Sequence, residues 1–247
     1  MGKNKLSKFA EIETFSNVLQ VPFSEVSLCD HSIKNNWNSV FFKNNLPLIL
    51  ELGCGKGEYT NGLAEINPEK NYIGIDIKGS RIWKGAKYAL DNGLKNVGFL
   101  RSHIELISRF FGIEEVNEIW LTFPDPQMKK TRKRLTSTRF IEQYRHFLKP
   151  GGMIHLKTDS NFQYHYTLEM VKANGFEIVS DEPDIYAKNT IEPTLQIKTF
   201  YEKQWIARGI TIKYICFIPH QNKLVESDVF IEPDSYRSFG RGALNVE

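Results

Sequence analysis

Leu46-Pro-Leu-Ile-Leu-Glu-Leu-Gly-Cys-Gly-Lys-Gly57 decides the fold. Residues 46–52 are apolar apart from Glu51 and read as a buried strand. Three glycines at alternate positions follow, then Glu58–Ile66 with helical spacing, ending near Pro68. A strand, a Gly-x-Gly-x-Gly loop and a helix bring backbone close to a ligand at a helix N-terminus. The loop alone does not choose the ligand, because nicotinamide and flavin proteins use a similar turn. Two residues narrow the choice. Glu58 replaces the third glycine of Gly-x-Gly-x-x-Gly, and Glu51 lies two residues before the first glycine. A carboxylate there repels a pyrophosphate and attracts a cation. The ammonium and sulfonium of S-adenosylmethionine fit it. A second acid, Asp76, stands 19 residues after Gly57 at the end of the next predicted strand, where an acid can accept ribose hydroxyls. The plainer alternatives are a strand-end charge for Glu51 and a helix N-cap for Asp76.

Outward from this unit the pattern repeats. Strands are predicted over 72–77, 97–100, 116–123, 153–157, 176–179 and 210–218. Helices are predicted over 81–90, 104–111, 138–148, 164–173 and 199–208. Alternation of this kind implies an α/β chain with a doubly wound, Rossmann-like sheet, mostly parallel with a final antiparallel strand. Residues 1–45 read as an extension packing on the core, with a basic tip at Lys3, Lys5 and Lys8 that is mobile when free. Residues 46–219 form the core domain, and 220–247 read as a polar tail. The 247 residues carry 41% hydrophobic and 25% charged side chains, ordinary values for a globular chain with a sizeable core. Three cysteines without a CxxC pair give no zinc spacing and indicate a reducing compartment. No metal site, membrane span or secretory signal is legible, so the expected location is cytoplasmic.

A net charge of +3 does not by itself mark a nucleic-acid binder; clustering says more. After the strand at 116–123, Pro124 and Pro126 bracket Asp125. Five of the six residues at 129–134 are then basic: Lys129, Lys130, Arg132, Lys133 and Arg134. A stiff acid beside a cationic arm suits a nitrogenous base on a phosphate backbone. Alone, such a run is also an ordinary solvated loop.

Leu50-Glu-Leu-Gly-Cys-Gly-Lys-Gly57, Ile73-Gly-Ile-Asp76, Phe123-Pro-Asp-Pro126, Lys157-Thr-Asp159 and Thr199-Phe-Tyr-Glu202 together resemble the tRNA (guanine-N7)-methyltransferase family, single-subunit bacterial type, over roughly residues 45–218. The glycine block is shared by most methyltransferases of this class, whereas Phe-Pro-Asp-Pro with its basic follow-on is more specific. The resemblance implies S-adenosylmethionine as cofactor, tRNA as partner, no obligate protein partner, and methyl transfer to N7 of a guanine in the variable loop. It implies cofactor contacts at Glu51, Gly53, Gly55, Gly57, Asp76 and Asp125, with Asp125 also the catalytic acid. It implies guanine or tRNA contacts at Lys129, Asp159, Thr199, Phe200, Tyr201 and Glu202. Two positions depart from the pattern. His103 stands where the family's third cofactor acid is expected, and Gln127-Met128 replaces the Trp that commonly follows the second proline. The rival readings are an adenine- or glutamine-N-methylating enzyme and a non-catalytic RNA-binding protein on the same scaffold. The first usually shows Pro-Pro-aromatic where this chain has Pro126-Gln127. Retained Glu51, Asp76 and glycines argue against the second, and a nicotinamide oxidoreductase comes last.

Overall fold

The computed structural model describes residues 3–236; residues 1–2 of the expected basic tip and 237–247 of the expected tail lie outside them. The strands are β1 (Val18–Gln20), β2 (Leu48–Leu52), β3 (Asn71–Asp76), β4 (Val97–Arg101), β5 (Val116–Thr122), β6 (Leu148–Thr158), β7 (Glu177–Glu182) and β8 (Lys213–Ile218). The helices are α1 (Lys3–Ile12), α2 (Phe23–Val26), α3 (Glu58–Ile66), α4 (Gly79–Asp91), α5 (Thr138–Arg145), α6 (Asn161–Ala173), α7 (Pro193–Gln196) and α8 (Phe200–Ala207). Short 3-10 turns and one π-helical turn, Trp37–Phe42, complete the described elements. The strands form one sheet in the order β1-β4-β3-β2-β5-β6-β8-β7. Among the described strands β8 alone runs against the direction of the others, as the sequence leads one to expect.

Every residue of β2 is buried. Leu48, Leu50 and Leu52 enter one apolar layer, with Trp37, Phe110, Phe111 and Tyr144. Ile49 enters the other, with Tyr59, Phe99 and Trp120. A sheet covered on both faces gives continuous apolar strands rather than alternation. Connections leave β2 toward β3 on one side and β5 toward β6 on the other, so the crevice beyond β2 lies where the winding reverses. Ligands of open α/β sheets bind at such a crevice.

Several elements differ from the sequence reading. Residues 1–45 do more than pack on the core, because β1 pairs in parallel with β4 and extends the sheet. Three residues carry too little periodicity to be read as a strand. α5 stops at Arg145, and β6 begins at Leu148, which pairs with Val116 before the Pro150-Gly-Gly152 irregularity. Gly151 sits there at φ 75°, where glycine escapes the Cβ penalty. The expected helix at 104–111 is a 3-10 turn, Ile104–Arg109.

A buried ion pair docks α7 and α8 onto β6. Lys157 and Glu202 are fully buried, with Nζ 2.8 Å from Oε1. The lysine also donates to the carbonyls of Leu195 and Ile197 at 2.8 and 2.9 Å, and Tyr186 donates to Glu202 at 2.7 Å. Burial pushes the ammonium down to about 8, against the opposing pull of Glu202. Removing one partner strands a charge in the interior, which costs about 3–5 kcal/mol. Glu202→Ala is therefore expected to lower the denaturation midpoint sharply, while Lys157→Met/Glu202→Leu recovers most of the loss. Equilibrium denaturation of both variants checks this; a stable Glu202→Ala chain would show that the pair does not hold α8.

Candidate active site

The glycine loop is pinned to the end of β3. The N–H groups of Gly53 and Cys54 donate to the carbonyl of Ile75 at 2.8 and 3.0 Å. Gly55 N–H donates to Asp76 Oδ2 at 3.0 Å, and Lys78 N–H to Oδ1 at 2.7 Å. Gly53, Gly55 and Gly57 all have positive φ (84°, 56° and 68°), which glycine adopts at little cost. They face different ways. A Cβ on Gly53 would meet nothing within 4 Å, and one on Gly55 only the Gly53 carbonyl at 3.9 Å. A Cβ on Gly57 would strike Phe99 at 2.6 Å and Gly85 at 3.0 Å. The first two glycines leave open space for a ligand, while the third lets α3 and α4 approach.

Glu51 lies beneath this loop, 3% exposed. Its carboxylate accepts from Thr60 N–H at 2.8 Å and from the hydroxyls of Thr60 and Thr122. Gly74 stands opposite it in the neighbouring strand, and a Cβ there would reach Thr60 Oγ1 at 2.7 Å. Gly74 thus makes room for the threonine that holds the acid. Burial pushes the Glu51 carboxyl up to about 7, against the Thr122 and Thr60 hydrogen bonds. A nearby cation would restore its charge.

On the β3–β4 side, a cavity of about 690 Å³ is lined by Ile77, Ser102 and His103 and by Pro22, Phe23 and Val26 of the N-terminal segment. His103 is exposed and meets the edge of Phe23 at 6.2 Å between ring centroids. It fronts this cavity.

Asp125 leaves β5 on a strained loop. Phe123 and Gln127, on either side, have φ of 50° and 47°. Such values cost non-glycine residues free energy and persist only where surroundings impose them. Pro124 and Pro126 are buried while Asp125 is exposed. Gln127 N–H donates to Asp125 Oδ1 at 3.1 Å, fixing the carboxylate to its own turn. The surroundings that impose the strain include Arg134. It is only 6% exposed, and its guanidinium donates to the carbonyls of Pro126 and Gln127 at 3.2 Å and of Met128 at 2.8 Å. It also lies 4.6 Å from the Phe162 ring centroid and 4.4 Å from that of Tyr166. The basic run therefore divides. Lys129, Lys130, Arg132 and Lys133 are exposed, but Arg134 is a brace rather than a backbone contact. Sequence could not separate them, because the carbonyls and rings that bury Arg134 come from the loop before it and from α6.

The segment from Thr199 divides in the same way. Thr199 is 9% exposed and caps α8, accepting from Glu202 N–H at 3.2 Å. Glu202 is spent on Lys157. Phe200 and Tyr201 are 46% and 42% exposed. Lys56 of the glycine loop sits 3.9 Å from the Phe200 ring centroid, and Arg81 reaches the Tyr201 hydroxyl at 3.3 Å. The structure thus brings the glycine loop and this aromatic rim together. Asp159 follows β6, next to the end of β5, since Thr122 pairs with Lys157. It is fully buried, and the Tyr236 hydroxyl donates to its carbonyl and its carboxylate. Tyr236 and Asp234, which dock on Asp159 and the start of α6, were passed over in the sequence reading. Nothing in a polar tail signals where it docks.

Arg134→Ala leaves three carbonyls without their donor, an expected loss of about 2–3 kcal/mol of stability together with looser positioning of Asp125. Arg132→Ala/Lys133→Ala is expected to leave stability within about 0.5 kcal/mol and to flatten the salt dependence of polyanion binding by about 0.7–0.9 in log–log slope per lost contact. Thermal melts and binding titrations at several salt concentrations check both; equal melting temperatures for the two variants would remove the brace.

A methyltransferase family model matches residues 45–215. The tRNA (guanine-N(7)-)-methyltransferase of Bacteroides thetaiotaomicron is 54% identical over 242 residues, covering 98% of this chain and 96% of that protein. The one from Porphyromonas gingivalis is 52% identical, covering 93% and 96%. A solved antibiotic related methyltransferase superposes with a TM-score of 0.56 at 16% identity, over 84% of this chain and 98% of that one, a likeness of fold. With a glycine loop open to a ligand, two carboxylates at the ends of β2 and β3 and a braced Asp125 beside them, the chain belongs to the tRNA (guanine-N(7)-)-methyltransferase family.

Proposed function

We propose that this protein transfers a methyl group from S-adenosylmethionine to N7 of a guanine in the variable loop of tRNA, in the cytoplasm and without an obligate protein partner. The relatives' names support the reaction, and the observation that carries the site is Asp125, exposed between two buried prolines and braced from below by Arg134.

The residues fit the cofactor. Gly53 and Gly55 leave space for its backbone approach, Asp76 would take the ribose hydroxyls, and Glu51 would balance the positive charge. The cofactor supplies an electrophilic methyl on a sulfonium. Guanine N7 already carries an in-plane lone pair, so no proton need be removed before it attacks. The chain's task is then alignment and charge handling rather than strong base catalysis. As N7 is methylated, positive charge builds on the purine, and Asp125 stabilises it. Because the loop is already strained into place, little reorganisation remains at the moment of reaction. The target base must leave its stack to reach the pocket. Phe200 and Tyr201 offer exposed rings beside the glycine loop, and Lys129, Lys130, Arg132 and Lys133 hold phosphates without reading sequence.

Incubation with labelled S-adenosylmethionine and unmodified tRNA should yield 7-methylguanosine in the variable loop; another methylated nucleoside would refute the assignment. Asp125→Asn keeps the shape and removes the charge. Single-turnover methylation should fall about 10²–10³-fold, with a much smaller change in tRNA binding. A folded variant with near-parental turnover would end the catalytic role of Asp125.

Glu51 gives a pH signature. Its folded-state pKa of about 7 lies above the ordinary 4.5. Stability from this group is therefore present at low pH and lost as pH rises through about 7 in the ligand-free chain. A cationic ligand favours the charged form, so binding should release a proton near pH 6 and tighten toward pH 8. Titration calorimetry in buffers of different ionisation enthalpy reads the proton directly. Glu51→Gln should abolish the release, and a parent chain that releases none would detach Glu51 from the cofactor's charge.

A further inference from the structure

The C-terminal segment from 219 to 236 contains no helix or strand, yet it is held at points along its length. Asn174, just past α6, exchanges two 2.8 Å hydrogen bonds with the backbone of Val225. Glu226 accepts from Thr138 at 2.6 Å and from the Tyr166 hydroxyl. Asp234, 4% exposed, accepts from Phe162 N–H at 3.0 Å and from Ser160 Oγ, closing the start of α6. These anchors carry the chain to Tyr236. Its ring lies edge-on to Trp205 at 5.7 Å, and its hydroxyl donates to the Asp159 carbonyl at 2.9 Å and to Oδ2 at 3.2 Å.

The consequence is geometric. Asp159 has no exposed surface with Tyr236 in place. A guanine offering N1–H and its 2-amino group brings donors to the same carboxylate that the phenol already engages. A carboxylate with no exposed surface admits the base only when a covering group moves aside. We propose that the segment is a strap over the purine pocket, with Tyr236 holding Asp159 in the free enzyme until the incoming guanine displaces it. This rests on the proposed function and on the guanine contact that the family resemblance implies for Asp159.

The anchors allow the exchange. Asp234 and Glu226 grip α5 and α6, the Asn174 pair adds a third tether, and Ser235 alone separates the Asp234 anchor from Tyr236. A short rotation at Ser235 releases the hydroxyl while the rest of the strap stays docked. A binding-competent form populated only in part weakens apparent affinity by that fraction, and leaves the chemistry after binding unchanged.

The test is steady-state methylation by the full-length chain, with unmodified tRNA as substrate and 7-methylguanosine as the measured product. Tyr236→Phe keeps the ring against Trp205 and deletes the competing donor. Its KM for tRNA should fall about fivefold, the worth of a net hydrogen bond, with kcat within about twofold of the parent. Asp159→Asn should raise KM, and adding Tyr236→Phe to it should bring no comparable fall, because the two residues act on one contact. A Tyr236→Phe KM that is unchanged makes the hydrogen bond purely structural, and one that rises makes Tyr236 an aid to tRNA binding; either overturns the strap. The parent separates this from the wider reading. A parent that makes no 7-methylguanosine refutes the proposed function, whereas one that makes it alongside an unaltered variant KM refutes the strap alone.

Discussion

A sheet buried on both faces leaves its strand ends as the natural place for polar chemistry. Inside the two layers, an unpaired polar group costs more than any single contact returns. Glu51, Asp76, Thr122, Lys157 and Asp159 accordingly stand in the last residues of β2, β3, β5 and β6 or just beyond them. Strand order then decides which ends become neighbours. With β2 at the centre and β3 and β5 on either side, the glycine loop, Asp76 and the Asp125 loop converge on one crevice.

The buried charged groups Glu51, Lys157 and Arg134 are each met by several partners. Glu51 is held by threonines from α3 and β5, and Lys157 by Glu202 and by the carbonyls of Leu195 and Ile197. Arg134 is held by three carbonyls and flanked by two aromatic rings. Such networks add little net stability over apolar packing, since desolvation offsets much of the attraction. Their effect here is positional. The Lys157–Glu202 pair sets where Phe200 and Tyr201 emerge, and Arg134 sets where Asp125 stands.

Two of the five non-glycine residues with positive φ among the described residues also stand there. The bends at Phe123 and Gln127 bracket the proposed catalytic acid, and the brace beneath them is buried. The loop gives up local backbone comfort so that a carboxylate points outward in one orientation. A flexible loop would have to order itself each time a base arrived, and that cost would fall on the reaction. The N-terminal and C-terminal segments frame the crevice from opposite sides, one lining a cavity beside His103 and the other closing over Asp159.

The sequence alone determined the winding of the sheet. Periodicity, glycine placement and the Pro-Asp-Pro turn are local signals, and local signals survive in a one-dimensional string. It also located Glu51, Asp76 and Asp125, because an acid in an apolar strand or between two prolines is conspicuous without its neighbours. Only the tertiary structure decided which members of each motif are buried and which are exposed. Arg134 and Lys133 are adjacent and alike in charge, yet one is buried by rings on α6 and the other is exposed. Glu202 and Tyr201 differ in the same way, because Lys157 lies on a strand 45 residues away. The three-residue β1 and the docked C-terminal segment were invisible for a related reason: each is defined by hydrogen bonds to partners tens of residues distant, and not by any pattern of its own.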